Sequence, residues 1–346
     1  MIGAFLLAFV GALLFAVVPG FSIALFSLFL IGVGMAMLQV VINPLLRVAG
    51  GEEKFAFNSV MAQLFFGGAS FLSPLLYSYL IANVHSKATG FGLDFLNKVV
   101  PENLKWVSLY WVFALVALLM VIVIALGKFP KEELKEDERI DVRSSFQELV
   151  KNKLVWLFFL GIFCYVGTEQ GIANWISQFL QTYHGVDPST IGAAVISNFW
   201  GLLTIGCLLG LVLLKLFDSR HVLILFTMGA IVSVLLALFG STEMALFCFP
   251  AAGFFASVMY SVIFSLALNS VPSHHGTFSG ILCAGICGGA VVPLIVGTLG
   301  EMIGLRMAML FLLIPMGYIL SIGIWATPLI TNDRVKNFVD LFDRKN

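Results

Sequence analysis

The chain has 346 residues, of which 60% are hydrophobic and 11% charged, and its 19 basic and 19 acidic residues give a net charge of zero. Soluble domains run at roughly 45–50% apolar and about 25% charged. With a mean hydropathy of +1.02, these values exclude an ordinary soluble domain and indicate an all-α polytopic membrane protein. The balanced charge offers no basis for a nucleic-acid partner.

A helix needs about 20 residues to cross ~30 Å of hydrocarbon. Ten runs meet or approach that length: 2–18, 21–46, 57–83, 106–127, 154–182, 190–216, 221–240, 244–271, 277–300 and 306–330. The first is short, but it lacks a basic n-region and a small-residue cleavage site, so it reads as a span and not as a signal peptide. Residues 84–105 form an outer loop. Residues 128–153 are densely and oppositely charged, which reads as a solvated linker dividing four spans from six, and 331–346 form a tail. With that linker in the cytoplasm, 15 Lys and Arg lie on its side and 4 (Lys87, Lys98, Lys105, Arg306) on the other. The excess of basic residues on cytoplasmic loops then places both termini inside.

Cys164, Cys207, Cys248, Cys283 and Cys287 all lie in apolar runs and form no C-x-x-C pair, so they read as small packing residues. His85, His184, His221, His274 and His275 fall at run ends or in loops. No metal site or cofactor is expected. The spans contain no H-E-x-x-H, clustered carboxylates or nucleophile motif, which argues against an enzyme.

Two stretches repeat. Asn43-Pro44 is followed by GGASFLSPLL from Gly67, and Asn269 by GGAVVPLI from Gly288, at offsets of 226 and 221. Repeated halves are common in transporters, whose substrate sites lie where the repeats meet. Subtracting this offset from the start of the second half lands roughly 70 residues before Met1. The expectation is a six-plus-six protein without its first two helices, and a ten-span protein is the alternative.

Five segments in order, LQVVINPLLRVAG (38–50), AQLFFGGASFLSPL (62–75), YVGTEQGIANW (165–175), MYSVIFSLALNS (259–270) and GICGGAVVPLIVGTL (285–299), resemble the fucose and glucose/galactose permease branch of the major facilitator superfamily. The resemblance covers nearly the whole chain. It implies a major-facilitator-type bundle with ten of the usual twelve helices. Residues 1–127 would be the remainder of the N-terminal bundle (helices 3–6) and 154–330 the C-terminal six-helix bundle. It further implies a bacterial inner-membrane sugar permease, usually proton-driven and working by alternating access. The branch often carries an acid where this chain has Gln39, and Gly-Arg where it has Gly206-Cys207.

Glu169 is the one Asp or Glu well inside a span. Intramembrane carboxylates usually face a cavity or a partner, so Glu169 is the candidate proton-coupling group, against a structural carboxylate bonded to a neighbouring helix. Gln170, Asn174, Gln178 and Gln181 recur at steps of four, four and three and form one polar stripe. Amides suit sugar hydroxyls, and Trp175 beside them offers a face for a pyranose. Gln39, Asn43, Gln63, Asn198 and Asn269 complete the candidate sugar contacts; interhelical hydrogen bonding is the alternative for all of them. Pro44 removes a backbone donor and can break its helix, which is tolerated where helices line a water-filled path. Gly67, Gly68, Gly285, Gly288 and Gly289 are expected to let helices approach closely.

The reading is secondary active transport of a neutral sugar, a hexose or deoxyhexose, with the proton as coupling ion, by a monomer in the bilayer. The alternatives are a transporter of another neutral solute, such as a drug or small peptide, and a truncated non-transporting remnant. An organic-anion carrier is disfavoured because no Lys or Arg stands well inside a span.

Overall fold

Backbone surrounded by hydrocarbon has to satisfy its N–H and C=O groups internally, which a helix achieves within one segment. In the computed structural model, which describes residues 1–86, 90–127 and 142–332, every regular element is accordingly helical. Among these residues nine helical stretches are long and apolar enough to cross a membrane. The run expected as the first span is the 16-residue helix Ile2–Val17, about 24 Å long at 1.5 Å per residue. Most of the charged linker, 128–141, and the tail from 333 lie outside the described residues.

In chain order the helices are α1 Ile2–Val17, α2 Phe21–Gly50, α3 Phe55–Asn83, α4 Phe91–Val99, α5 Ser108–Leu126, α6 Val142–Lys151, α7 Lys153–His184 and α8 Ala193–Leu216. They continue with α9 Ser219–Phe239, α10 Thr242–Ala256, α11 Met259–Leu268, α12 His275–Ala284, α13 Gly288–Ile303, α14 Leu305–Met309 and α15 Leu313–Trp325. Pro44 does not break α2, which runs on through it to Gly50. A proline in a membrane helix is tolerated where neighbours satisfy the freed backbone groups. The ends follow local chemistry. Asn152 caps α7 by accepting from the Leu154 N–H at 3.0 Å. Gly185 closes the same helix in the left-handed conformation, φ 64°, where a side chain would be strained. Asp218 caps α9 and also pairs with Arg220 at 3.1 Å.

The chain divides into two compact units. The first comprises Met1–Ile42 and Leu72–Glu133. In it, α1 lies along α5, with Phe15 edge-on to Tyr110 at 4.4 Å and tilted against Trp106 at 5.4 Å. Leu80, Val84, Leu93, Leu96 and Val100 bring the end of α3 onto α4.

The second unit comprises Asn43–Phe71 and Leu134–Asn346. Its centre is α7, with Phe158, Ile162, Tyr165, Ile172, Ile176 and Phe179 all fully buried. One face of α7 is nearly flat. Opposite it lie Gly285, on the Phe159 carbonyl, and Gly288, on the Phe163 carbonyl, so the backbones meet with no side chain between them. Gly289 faces Val166 and Gln170, and Gly67 of α3 sits on Thr204 of α8. Of the five glycines expected at close approaches, Gly68 alone has open space beside it.

A methyl group at Gly288 would meet backbone, which cannot rotate away, whereas Gly280 on α12 has nothing within 4 Å. Gly288→Ala is therefore expected to cost about 1–3 kcal/mol as overpacking. Gly280→Ala should be neutral or stabilising by up to about 1 kcal/mol through helix propensity. Thermal unfolding of the detergent-solubilised protein compares the two.

Candidate functional site

Glu169 stands halfway along α7, in the second unit, and is 5% exposed. The titratable groups within electrostatic reach of its carboxyl are Tyr165, one turn earlier on α7, Cys207 of α8 and Tyr260 of α11. Among the described residues no Lys, Arg or His forms an ion pair with it. The Tyr165 hydroxyl is directed at the carboxyl without completing a hydrogen bond of standard geometry. Cys207 is buried and donates to the Ser257 carbonyl at 3.5 Å. The place where the resembled branch often carries an arginine thus lies against the buried acid, and here it supplies a thiol.

The rings of Tyr165 and Tyr260 lie 5.9 Å apart. Asn43 of α2 is 8% exposed and lies near Tyr260 of α11 and Cys283 of α12. One turn beyond Asn43 comes Arg47, 3% exposed, whose Nη2 is 3.2 Å from Glu52 Oε1. Arg47 Nε donates to Asn269 Oδ1 at 3.4 Å, and Asn269 Nδ2 donates to the Glu52 carbonyl at 3.4 Å. The Asn269 backbone carbonyl also accepts from the Leu329 N–H at 2.8 Å. Arg47 therefore is not a loop charge: because α2 continues past Pro44, a guanidinium is buried at the end of an apolar stretch, Phe21–Arg47. The expectation that no Lys or Arg stands within the membrane-spanning runs' interior is corrected to that extent.

The other candidates occupy different surroundings. Gln170 is half-buried against Gly289, while Asn174, Gln178 and Gln181 are exposed along the stripe. Trp175 is held in place, its Nε1 donating to the Pro293 carbonyl at 3.1 Å and its ring lying on Gly297. Asn198 is exposed and lines an open groove of about 530 Å³ with Gly68, Phe71, Thr204 and Pro250. Gln63 is half-buried on α3 and Gln39 half-buried on the part of α2 that belongs to the first unit. The structure thus ties Asn269 to Arg47 and leaves Asn174, Gln178 and Gln181 exposed along α7. Cys287 is exposed, unlike the other four cysteines, which are buried.

Sequence reading missed Tyr165, Tyr260 and Cys283. Tyr165 was within reach, since side chains four apart on a helix are neighbours. Tyr260 and Cys283 approach Asn43 only through tertiary packing.

A helical, multi-pass membrane protein with a buried, unpaired carboxyl group and a repeated-half plan has the general character of a transporter. A family model of the Major Facilitator Superfamily matches residues 1–186. A glucose/galactose transporter of Brucella abortus (strain 2308) is 30% identical over 328 residues, covering 92% of this chain and 76% of that protein. The L-fucose-proton symporter of Escherichia coli (strain K12) is 25% identical over 322 residues, covering 87% and 72%. The fold is similar to that of the transporter FucP crystallised in the outward conformation, with a TM-score of 0.77 at 22% identity, covering 94% of this chain and 82% of that one. The chain belongs to the major facilitator superfamily.

Removing one partner from a buried ion pair leaves the other charge uncompensated. Glu52 is partly exposed, so Glu52→Ala is expected to destabilise by about 1–3 kcal/mol, below the full cost of a fully buried pair. The exposed neighbour Glu53 serves as control, with Glu53→Ala expected within about 0.5 kcal/mol of wild type. Melting curves of the two variants test this.

Proposed function

We propose that this protein carries a neutral sugar, a hexose or deoxyhexose, across the bacterial inner membrane by proton symport and alternating access. Glu169 is the proton site in this reading. The observation that carries it is the placement of Glu169: a carboxyl group halfway along a membrane helix, buried, and faced by hydroxyl and thiol groups instead of a cation. Such a group can gain and lose a proton without breaking a structural ion pair. The sugar assignment draws on the names of the relatives, a glucose/galactose transporter and an L-fucose-proton symporter. It is supported by the accessible amides Asn174 and Gln170 beside Trp175, groups that donate to and accept from sugar hydroxyls. Because the Trp175 N–H is already used by Pro293, this side chain contributes its ring face only. Asn43, Gln63, Asn198 and Asn269 are secondary contacts in this reading. The termini face the cytoplasm, by the distribution of Lys and Arg, and the working unit is a monomer.

The test is uptake of labelled glucose, galactose and fucose into vesicles, with and without an imposed proton gradient. Gradient-driven accumulation of at least one sugar is expected. Glu169→Gln should abolish accumulation and remove the pH dependence of uptake. A Glu169→Gln variant that accumulates sugar like the wild type would remove the proton role from this residue. Saturable uptake by the wild type that ignores the gradient would make the protein a uniporter.

A further inference from the structure

The chain leaves α15 at Trp325 and continues through 326–332 as an irregular strap. Trp325 packs on Phe158, near the start of α7, at 5.1 Å, so the strap begins at the end of the second unit where the linker joins. Three hydrogen-bonded points fix it. Arg220 Nη1, at the start of α9, donates to the Ala326 carbonyl at 3.3 Å. The Leu329 N–H donates to the Asn269 carbonyl at 2.8 Å. The half-buried Asn332 amide holds the far end. Its Nδ2 donates to the Leu214 and Phe217 carbonyls at 2.7 and 3.0 Å, and its Oδ1 accepts from the Ser219 N–H at 3.1 Å. One side chain thus satisfies groups that the end of α8 and the start of α9 leave over.

Asn269 is where the strap meets the first half of the sequence. It follows Leu268, the last residue of α11, so the helix offers its carbonyl no partner of its own, and the Leu329 N–H takes that place. Its side chain accepts from Arg47 Nε and donates to the Glu52 carbonyl, both at 3.4 Å. Arg47 and Asn269 are 3% and 4% exposed, so the join is closed to water. We propose that the strap holds Asn269 in place for this join, with Leu329 and Asn332 as the positioning residues, and thereby keeps the linker side of the molecule closed. This rests on the reading of the protein as working by alternating access.

Alternating access requires the two halves to part at one end and to close there again. A join made from an ion and amides suits that task. Parting brings Arg47, Glu52 and Asn269 to water, which replaces the partners they lose. An apolar join would forfeit burial instead. The strap's own bonds run to α9, the end of α11 and the turn between α8 and α9, all in the second half, so they need not break when the halves move. They act on the joined state. An Asn269 whose backbone is held meets Arg47 with less left to order than one at a frayed helix end. A contact that favours one of two states shifts the population by its differential free energy.

The test is amide hydrogen exchange at 43–50, the end of α2, in the detergent-solubilised full chain. Neither Leu329 nor Asn332 bonds to α2, so a merely structural loss around the strap leaves exchange there unchanged. Leu329→Pro removes the donor to Asn269 and keeps Asn332, and Asn332→Ala frees the far end of the strap. Each is expected to speed exchange at 43–50 at least about fivefold, the factor that one net hydrogen bond carries. Arg47→Gln should do the same, and adding Leu329→Pro to it should bring no further increase. Wild-type exchange at 43–50 in Leu329→Pro, or additive increases in the double variant, would overturn the proposal. Faster exchange confined to the turn between α8 and α9 in Asn332→Ala would reduce that residue to a helix cap and equally overturn it. Sugar uptake does not enter this readout: if the wild type carries no labelled sugar, the transport reading falls, and exchange at 43–50 still decides whether the strap holds the join.

Discussion

A carboxyl group halfway along an apolar helix has to find its partners among the side chains of neighbouring helices, and the second unit is arranged around that requirement. Insertion of such a group costs a few kcal/mol, which is compensated only where several helices converge. Here α7 solves the problem with two opposed faces. Gly167 and Gly171 turn toward α13 and the turn that precedes α15, meeting Val292, the Gly288 carbonyl and Leu312. Glu169, two residues from each, points about 200° away around the axis. The small face brings helices into backbone contact, and the opposite face is left to Tyr165, Cys207 and Tyr260. Close packing on one side and polar partners on the other are thus the same geometric fact.

Two buried ionisable side chains, Glu169 and Arg47, are handled in different ways, and the difference follows from their chemistry. A guanidinium is always charged, so Arg47 has to be given an anion and an acceptor, and Glu52 and the Asn269 amide oxygen provide them. A carboxyl group has a neutral form, so it survives among hydroxyl groups without a counter-ion. The first arrangement does not require Arg47 to change its charge. The second depends on a proton. A residue surrounded so that its two states are both tolerated is suited to change state, and one tied to a permanent partner is suited to hold position.

Composition alone was enough for the fold class, because a chain this apolar has few ways to satisfy its backbone. The span limits were readable to within a few residues wherever turn residues or charges marked them. Glu169 was legible for the same reason that makes it expensive: an acid stands out in an apolar run. The α2 terminus was not, since Pro44 signals a break that tertiary contacts override, and Arg47 consequently passed for a loop residue. Cys207 was visible as a departure from the resembled pattern, but only packing shows that it lies against Glu169. Asn269 illustrates the opposite limit: its residue type suits a sugar contact, yet its side-chain amide already accepts from Arg47 and donates to the Glu52 carbonyl.

The repeat in the sequence acquires a physical meaning in these contacts. Asn43 of α2 and Asn269 at the end of α11 are counterparts by spacing. Asn269 reaches across to Arg47 of α2, one turn beyond Asn43, and to the Glu52 carbonyl that follows that helix. The repeat thus relates two asparagines on helices that are joined directly to each other. The join carries the permanent charge of Arg47, which is why it needs both an anion and an amide oxygen as partners.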